Sequence, residues 1–160
     1  MTSKWYKKEG DKLVVTENIL ISGPSHIFTD LSDWDVRPQK IPNFWPYKYH
    51  STDKVGLVYL PTHSSIHVKE GYSWDGATFP VKFIRDWINT PDTWTASLVH
   101  DILTGAVHDE GWISDEECPT IDSIFLDILL QDTSRFKAYV MYAGVKVFGG
   151  VYFKWLRRWL

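Results

Sequence analysis

The residues best suited to chemistry lie in SLVHDILTGAVHDEGW (97–112), where His100-Asp101 interrupts an apolar run and His108-Asp109 repeats the pair. On a helix, His100 and Thr104 share a face at i, i+4, while Asp101 points about a quarter turn away. A second carboxylate, Asp122 in PTIDSIFLDILLQ (119–131), borders the apolar stripe that contains Ile121, Phe125 and Leu129. A carboxylate at that edge is partly desolvated, and leaving it unpaired costs on the order of several kcal/mol, so it needs a partner. Two consecutive helices with a short connection pack antiparallel, which brings His100 within reach of Asp122. One reading is catalytic: a histidine held by a carboxylate is a general base of fixed tautomer, and the adjacent Asp101 could hold a cation. The other is a polar pair that fixes helix register without chemistry, and such pairs are the commoner kind. Upstream, Asp75 in GYSWDGATFP (71–80) is either an oxygen ligand or a turn cap, with Gly76 free to take a positive φ.

These groups must be positioned by elements, and the hydropathy pattern changes near residue 80. Before it, LVVTENILI (13–21), VGLVYL (55–60) and SIHVKEGYSW (65–74) alternate or are β-branched, which predicts strands. The pieces 57–60 and 66–70, joined by PTHSS, predict a hairpin. Residues 22–54 form a long proline- and aromatic-bearing connection of no assigned structure. After residue 80 the period becomes helical. PVKFIRDWI (80–88) opens on a first-turn proline. A second helix starts with Thr90 as N-cap, Pro91 at N1 and Asp92 in the first turn, and runs to about Val107. A third spans 119–131, preceded by a Ser114–Glu117 capping box. The last starts after Thr133 or Ser134 and extends toward Leu160, with a weak point at Gly149-Gly150. Strands first and helices after predict an α+β fold in a single domain: an N-terminal antiparallel sheet, then three or four helices. Residues 1–54 form its irregular and β part, and 55–160 its core.

Bulk composition narrows the functional classes. The net charge of −3 and the lack of a basic stripe argue against nucleic acid as a partner. The single cysteine, Cys118, rules out an internal disulfide or a Cys-rich zinc site and suits a reducing compartment. MTSKWYKKEGDK lacks the apolar core of a secretory leader, and Lys146 breaks the most apolar late segment. Nucleotide-loop, dinucleotide, HExxH and G-x-S-x-G signatures are absent. Aromatic residues make up 16% of the chain, many outside periodic segments, as in NFWPYKYH (43–50). There they serve either as loop packing or as a contact surface. YFKWLRRWL (152–160) sets Trp155 and Trp159 among Arg157 and Arg158. That mixture suits an interfacial membrane helix, an anchor in a partner subunit, or a terminal helix docked on its own domain.

Four segments in order, GYSWDGATFP (71–80), ASLVHDIL (96–103), IDSIF (121–125) and MYAGVKVFG (141–149), resemble a phage and prophage family of unknown function. Thr104 and the residue before Ile121 depart from its usual Tyr and Arg. The resemblance covers 55–150 and implies a bacteriophage accessory or virion-associated protein made in the host cytoplasm, with subunits of a particle, such as those of a tail, as partners. The HD and D-x-x-F elements, over about 96–125, also look like the core of disulfide-free viral phospholipases A2. That likeness implies a lipid-ester hydrolase with His100 as general base, Asp122 orienting it, and calcium on Asp101. Asp75 would stand in for the Gly-rich calcium loop of those enzymes.

Overall fold

A computed structural model describes residues 5–23, 34–39, 58–62, 65–77, 82–108 and 118–146. The 43–50 aromatics, the Ser114–Glu117 box, Gly149-Gly150 and the terminal Trp155, Arg157, Arg158 and Trp159 lie outside them. The architecture is α+β: the described residues form seven short strands in two antiparallel sheets, followed by four helices. The chain divides into two compact units, one of 1–75 with 101–118 and one of 76–100 with 119–160.

In the first unit, β1 (Tyr6–Glu9), β2 (Lys12–Val15) and β7 (Ser73–Trp74) form one sheet in the order β1-β2-β7. The other runs β4-β3-β6-β5, from β3 (Ile19–Ser22), β4 (Asp35–Pro38), β5 (Val58–Thr62) and β6 (Ser65–Val68). The expected hairpin is β5–β6. The expected continuous strands 13–21 and 65–74 each split in two, β2 from β3 and β6 from β7. The pairing shows why. β2 faces β7 and β3 faces β6 at one offset, which aligns Leu13 with Trp74 and Ile19 with Val68. Between them, Val15 donates its N–H to Tyr72 O, and Gly71 donates to Val15 O. The two runs are therefore a single two-stranded ribbon that bends without losing register. Gly71, at φ +99°, makes the bend on one strand, and the Asn18 side chain ties the two strands together by accepting from Glu70 N. Inward positions follow the strand period: Leu13, Val15, Ile19, Ile21, Ile66, Val68, Tyr72 and Trp74 are all buried. Trp5 stacks on Trp74 with centroids 5.8 Å apart, at the end of the ribbon.

Among the helices, α1 (Lys82–Ile88) and α2 (Pro91–His108) are separated by Asn89 and Thr90. Thr93 N bonds to Thr90 O at 2.9 Å, and the buried Thr93 hydroxyl donates to Ile88 O at 2.6 Å. Asn89 Oδ1 accepts from Trp94 Nε1 and Ala77 N, which fixes the turn. α2 runs through His108, one residue past the expected end near Val107. α3 (Cys118–Asp132) buries Ile121, Ile124, Phe125, Ile128 and Leu129, the stripe read from the sequence. α4 (Arg135–Gly144) is capped by Ser134, whose hydroxyl accepts from Lys137 N. A wider π turn follows at Val145–Lys146.

A polar node joins α2 and α4 to the link between α3 and α4. Asp92 accepts from the Thr90 hydroxyl and, at 2.5 Å, from Thr133. The buried Lys137 reaches Thr90 Oγ1 at 2.6 Å and Asp92 at 3.4 Å. Burial pushes the Asp92 carboxyl up, but the two threonine hydroxyls and the Lys137 ammonium outweigh it and hold the group below the usual range. Asp132 goes the other way, raised by burial and by the Asp92 charge. It also ends α3 as a carboxylate at the negative end of a helix dipole, with no basic residue in the last turn. On acidification the folded chain takes up the Asp132 proton before the unfolded chain does, so this penalty is present above the folded pKa and relieved below it. Asp132→Asn is expected to raise Tm near neutral pH by on the order of 1–2 °C. The gain should fade toward about pH 4, as thermal melts across that range would record.

Candidate functional site

α2 carries His100 and α3 carries Asp122, both in the second unit. His100 Nε2 lies 3.1 Å from Asp122 Oδ1. The imidazole packs on the Phe125 ring, with centroids 4.8 Å apart and planes at 50°. The reason is local: Asp122 follows Ile121 on the buried stripe, and Phe125 follows one turn later on the same side. The ring is therefore fixed twice, by a carboxylate at one nitrogen and an aromatic face beside it.

A carboxylate oxygen only accepts, so the neutral imidazole carries its proton on Nε2 and leaves Nδ1 with a lone pair. Nδ1 has no hydrogen-bond partner among the described residues. The side chains are 19% and 18% exposed, so the pair is mostly desolvated yet open to a small molecule. Such an arrangement can take a proton from water at Nδ1 while Asp122 stabilises the resulting imidazolium. The second carboxylate oxygen, Oδ2, lies 3.4 Å from Lys146 Nζ, in the π turn after α4.

The other expected site residues stand differently. Asp101 is exposed on α2, and Asp75 is exposed after β7, with Gly76 at φ +73°. Calcium takes six to eight oxygen ligands. Among the described residues, no group of three or more His, Cys, Asp or Glu converges to hold a metal ion. No helix among the described residues is long and apolar enough to cross a membrane. His67, in β6, hydrogen-bonds Gln39 at 2.7 Å and is held below the usual imidazole range by burial.

Two features went unread in the sequence. Lys146 was visible only as a charge interrupting an apolar run, because its partner is on another helix. An aromatic patch joins α1 to α4. Phe83 and Phe136 are 75% and 74% exposed, and Trp87 and Tyr139 are exposed beside them. Trp87 and Phe136 have ring centroids 6.0 Å apart. The spacings Phe83–Trp87 (i, i+4) and Phe136–Tyr139 (i, i+3) put each pair on one helix face, and that was the available signal.

Against known proteins, a family model described as "Protein of unknown function (DUF1353)" matches residues 54–145, more than half of the chain. The match begins just before β5 and ends at the π turn, so it contains His100, Asp122 and the whole of α1 to α4. Neither a curated protein nor a solved structure matches. The chain belongs to the DUF1353 family, whose function is unknown.

Proposed function

We propose that the chain is a hydrolase of carboxylic esters, of the phospholipid class, in which His100 is the general base and Asp122 orients it. The 3.1 Å contact between His100 Nε2 and Asp122 Oδ1 carries this reading, because it leaves Nδ1 as the basic nitrogen. Water loses a proton to Nδ1, and its oxygen forms the bond to the acyl carbon. The tetrahedral intermediate then breaks the C–O bond to the alcohol, which leaves with the proton returned from the imidazolium. Asp122 stays ionised throughout and stabilises the charged ring. The proton transfer needs no metal. A calcium at Asp101, if bound, would add polarisation of the carbonyl.

The test is release of fatty acid from mixed phospholipid vesicles. The purified chain is expected to release it, and His100→Gln to lower the rate by at least about 100-fold. Release unchanged by that substitution would remove the catalytic role, and no release from the native chain would remove the hydrolase.

The exposed aromatic patch favours a second reading, a bacteriophage accessory protein, made in the host cytoplasm and assembled into a virion through this surface. Clustered aromatics beside polar groups resemble the buried centres of interfaces more than ordinary surface. Mass photometry with virion components would detect such a complex. A strict monomer that binds none of them would count against it.

A further inference from the structure

We infer that Lys146 is a positioning residue of the His100–Asp122 site, holding the carboxylate by its second oxygen so that the first stays aimed at the imidazole. Three observations converge. Lys146 Nζ lies 3.4 Å from Asp122 Oδ2, while His100 Nε2 occupies Oδ1. The same ammonium stands 5.5 Å from the centroid of the Tyr142 ring, one turn earlier on α4. Val145 keeps helical dihedrals, φ −62° and ψ −43°, so the chain stays wound through the π turn that carries Lys146 at the end of α4.

The physical need follows from the acid itself. The last torsion of an aspartate is broad, so a single hydrogen bond leaves its plane free to turn. Fixing one oxygen on the α2 imidazole and the other on an ammonium beyond α4 removes that freedom. The pair is also stronger than an ordinary surface pair, because Asp122 is largely buried among Ile121 and Phe125. Lys146 itself is 39% exposed, so its head reaches the acid from the solvent side. A lysine there acts through Asp122 without touching substrate. Its loss lets the carboxylate swing toward water and releases the imidazole from its tautomer and orientation.

The chemical consequence rests on the hydrolase reading, whereas the geometric one does not, so the experiment reads both. The full chain, K146M and K146R are compared by NMR of the His100 ring nitrogens and by vesicle hydrolysis. In the native chain the Nε2 proton should be observable and protected from water. In K146M it should exchange at least about tenfold faster, and K146R should restore it. In hydrolysis, K146M should lower kcat about tenfold at unchanged KM, again with rescue by arginine. K146Q provides the same readings should K146M fold poorly. A ring proton as protected in K146M and K146Q as in the native chain overturns the role of Lys146, even if both hydrolyse esters. A native chain without hydrolysis overturns the enzyme reading alone, and the ring proton still decides for Lys146.

Discussion

Asp122→Ala should lower the stability of the chain by about 1–3 kcal/mol in urea unfolding and suppress ester release as strongly as His100→Gln. The stability loss is not the energy of one hydrogen bond. Removing the acid strands two donors, the Nε2–H of an imidazole that is only 19% exposed and the Lys146 ammonium. The imidazole is the costlier orphan, because Phe125 covers its side and restricts its access to water. Asp122→Asn separates the two effects. Its amide keeps the volume and an acceptor oxygen, so most of the stability should return. Its lost charge no longer supports an imidazolium, so activity should stay low. A loss under about half a kcal/mol for Asp122→Ala would mean that the carboxylate is solvated and that the dyad contributes nothing to the fold.

The second large effect lies in the β region. Gly23→Ala is expected to cost about 2–4 kcal/mol. Gly23 follows β3 and Trp34 precedes β4, one step beyond the paired Ser22 and Asp35. The indole of Trp34 lies across the glycine, where it is buried. A methyl group on Gly23 would sit 2.7 Å from Trp34 Cε3 and closer still to Cδ2 and Cε2. The ring is rigid and cannot yield by rotating a flexible end, so either the indole leaves its place or the strand ends part. Urea unfolding would measure the cost, and a red shift in tryptophan emission would show which way the strain resolved. Unchanged stability together with unchanged emission would show that the ring has room to shift.

The helices were legible because their apolar residues recur at one period over several turns. Ile121 to Leu129 could hardly be read otherwise, and Thr90-Pro91-Asp92 marked the start of α2 to the residue. The His100–Asp122 contact was legible for a related reason: an acid placed among buried residues demands a donor, and the neighbouring helix held one. What failed to show was of two kinds. β1, Tyr6–Glu9, is mostly exposed and charged, so it has no alternation to detect, although Gly10 at φ +61° turns it into β2. β4 lies inside the long 22–54 connection, is mostly exposed, and takes its place from its β3 partner. Lys146 and Lys137 belong to the second kind. Each is one charge on an otherwise ordinary helix end, and its meaning comes from an acid far away in the chain.

The bent ribbon imposes a rule on how such a chain can vary. Its two halves share one alignment, so inserting a residue at 16–18 would shift β3 against β6 while β2 and β7 stayed matched. Every side chain of the shifted half would then trade faces, exposing Ile19 and Ile21 and burying Leu20. Only a compensating insertion near 69–71 on the opposite strand would restore the match. Length changes in these two corners must therefore come as pairs, which makes them a diagnostic mark for tracing descent among chains built on this ribbon.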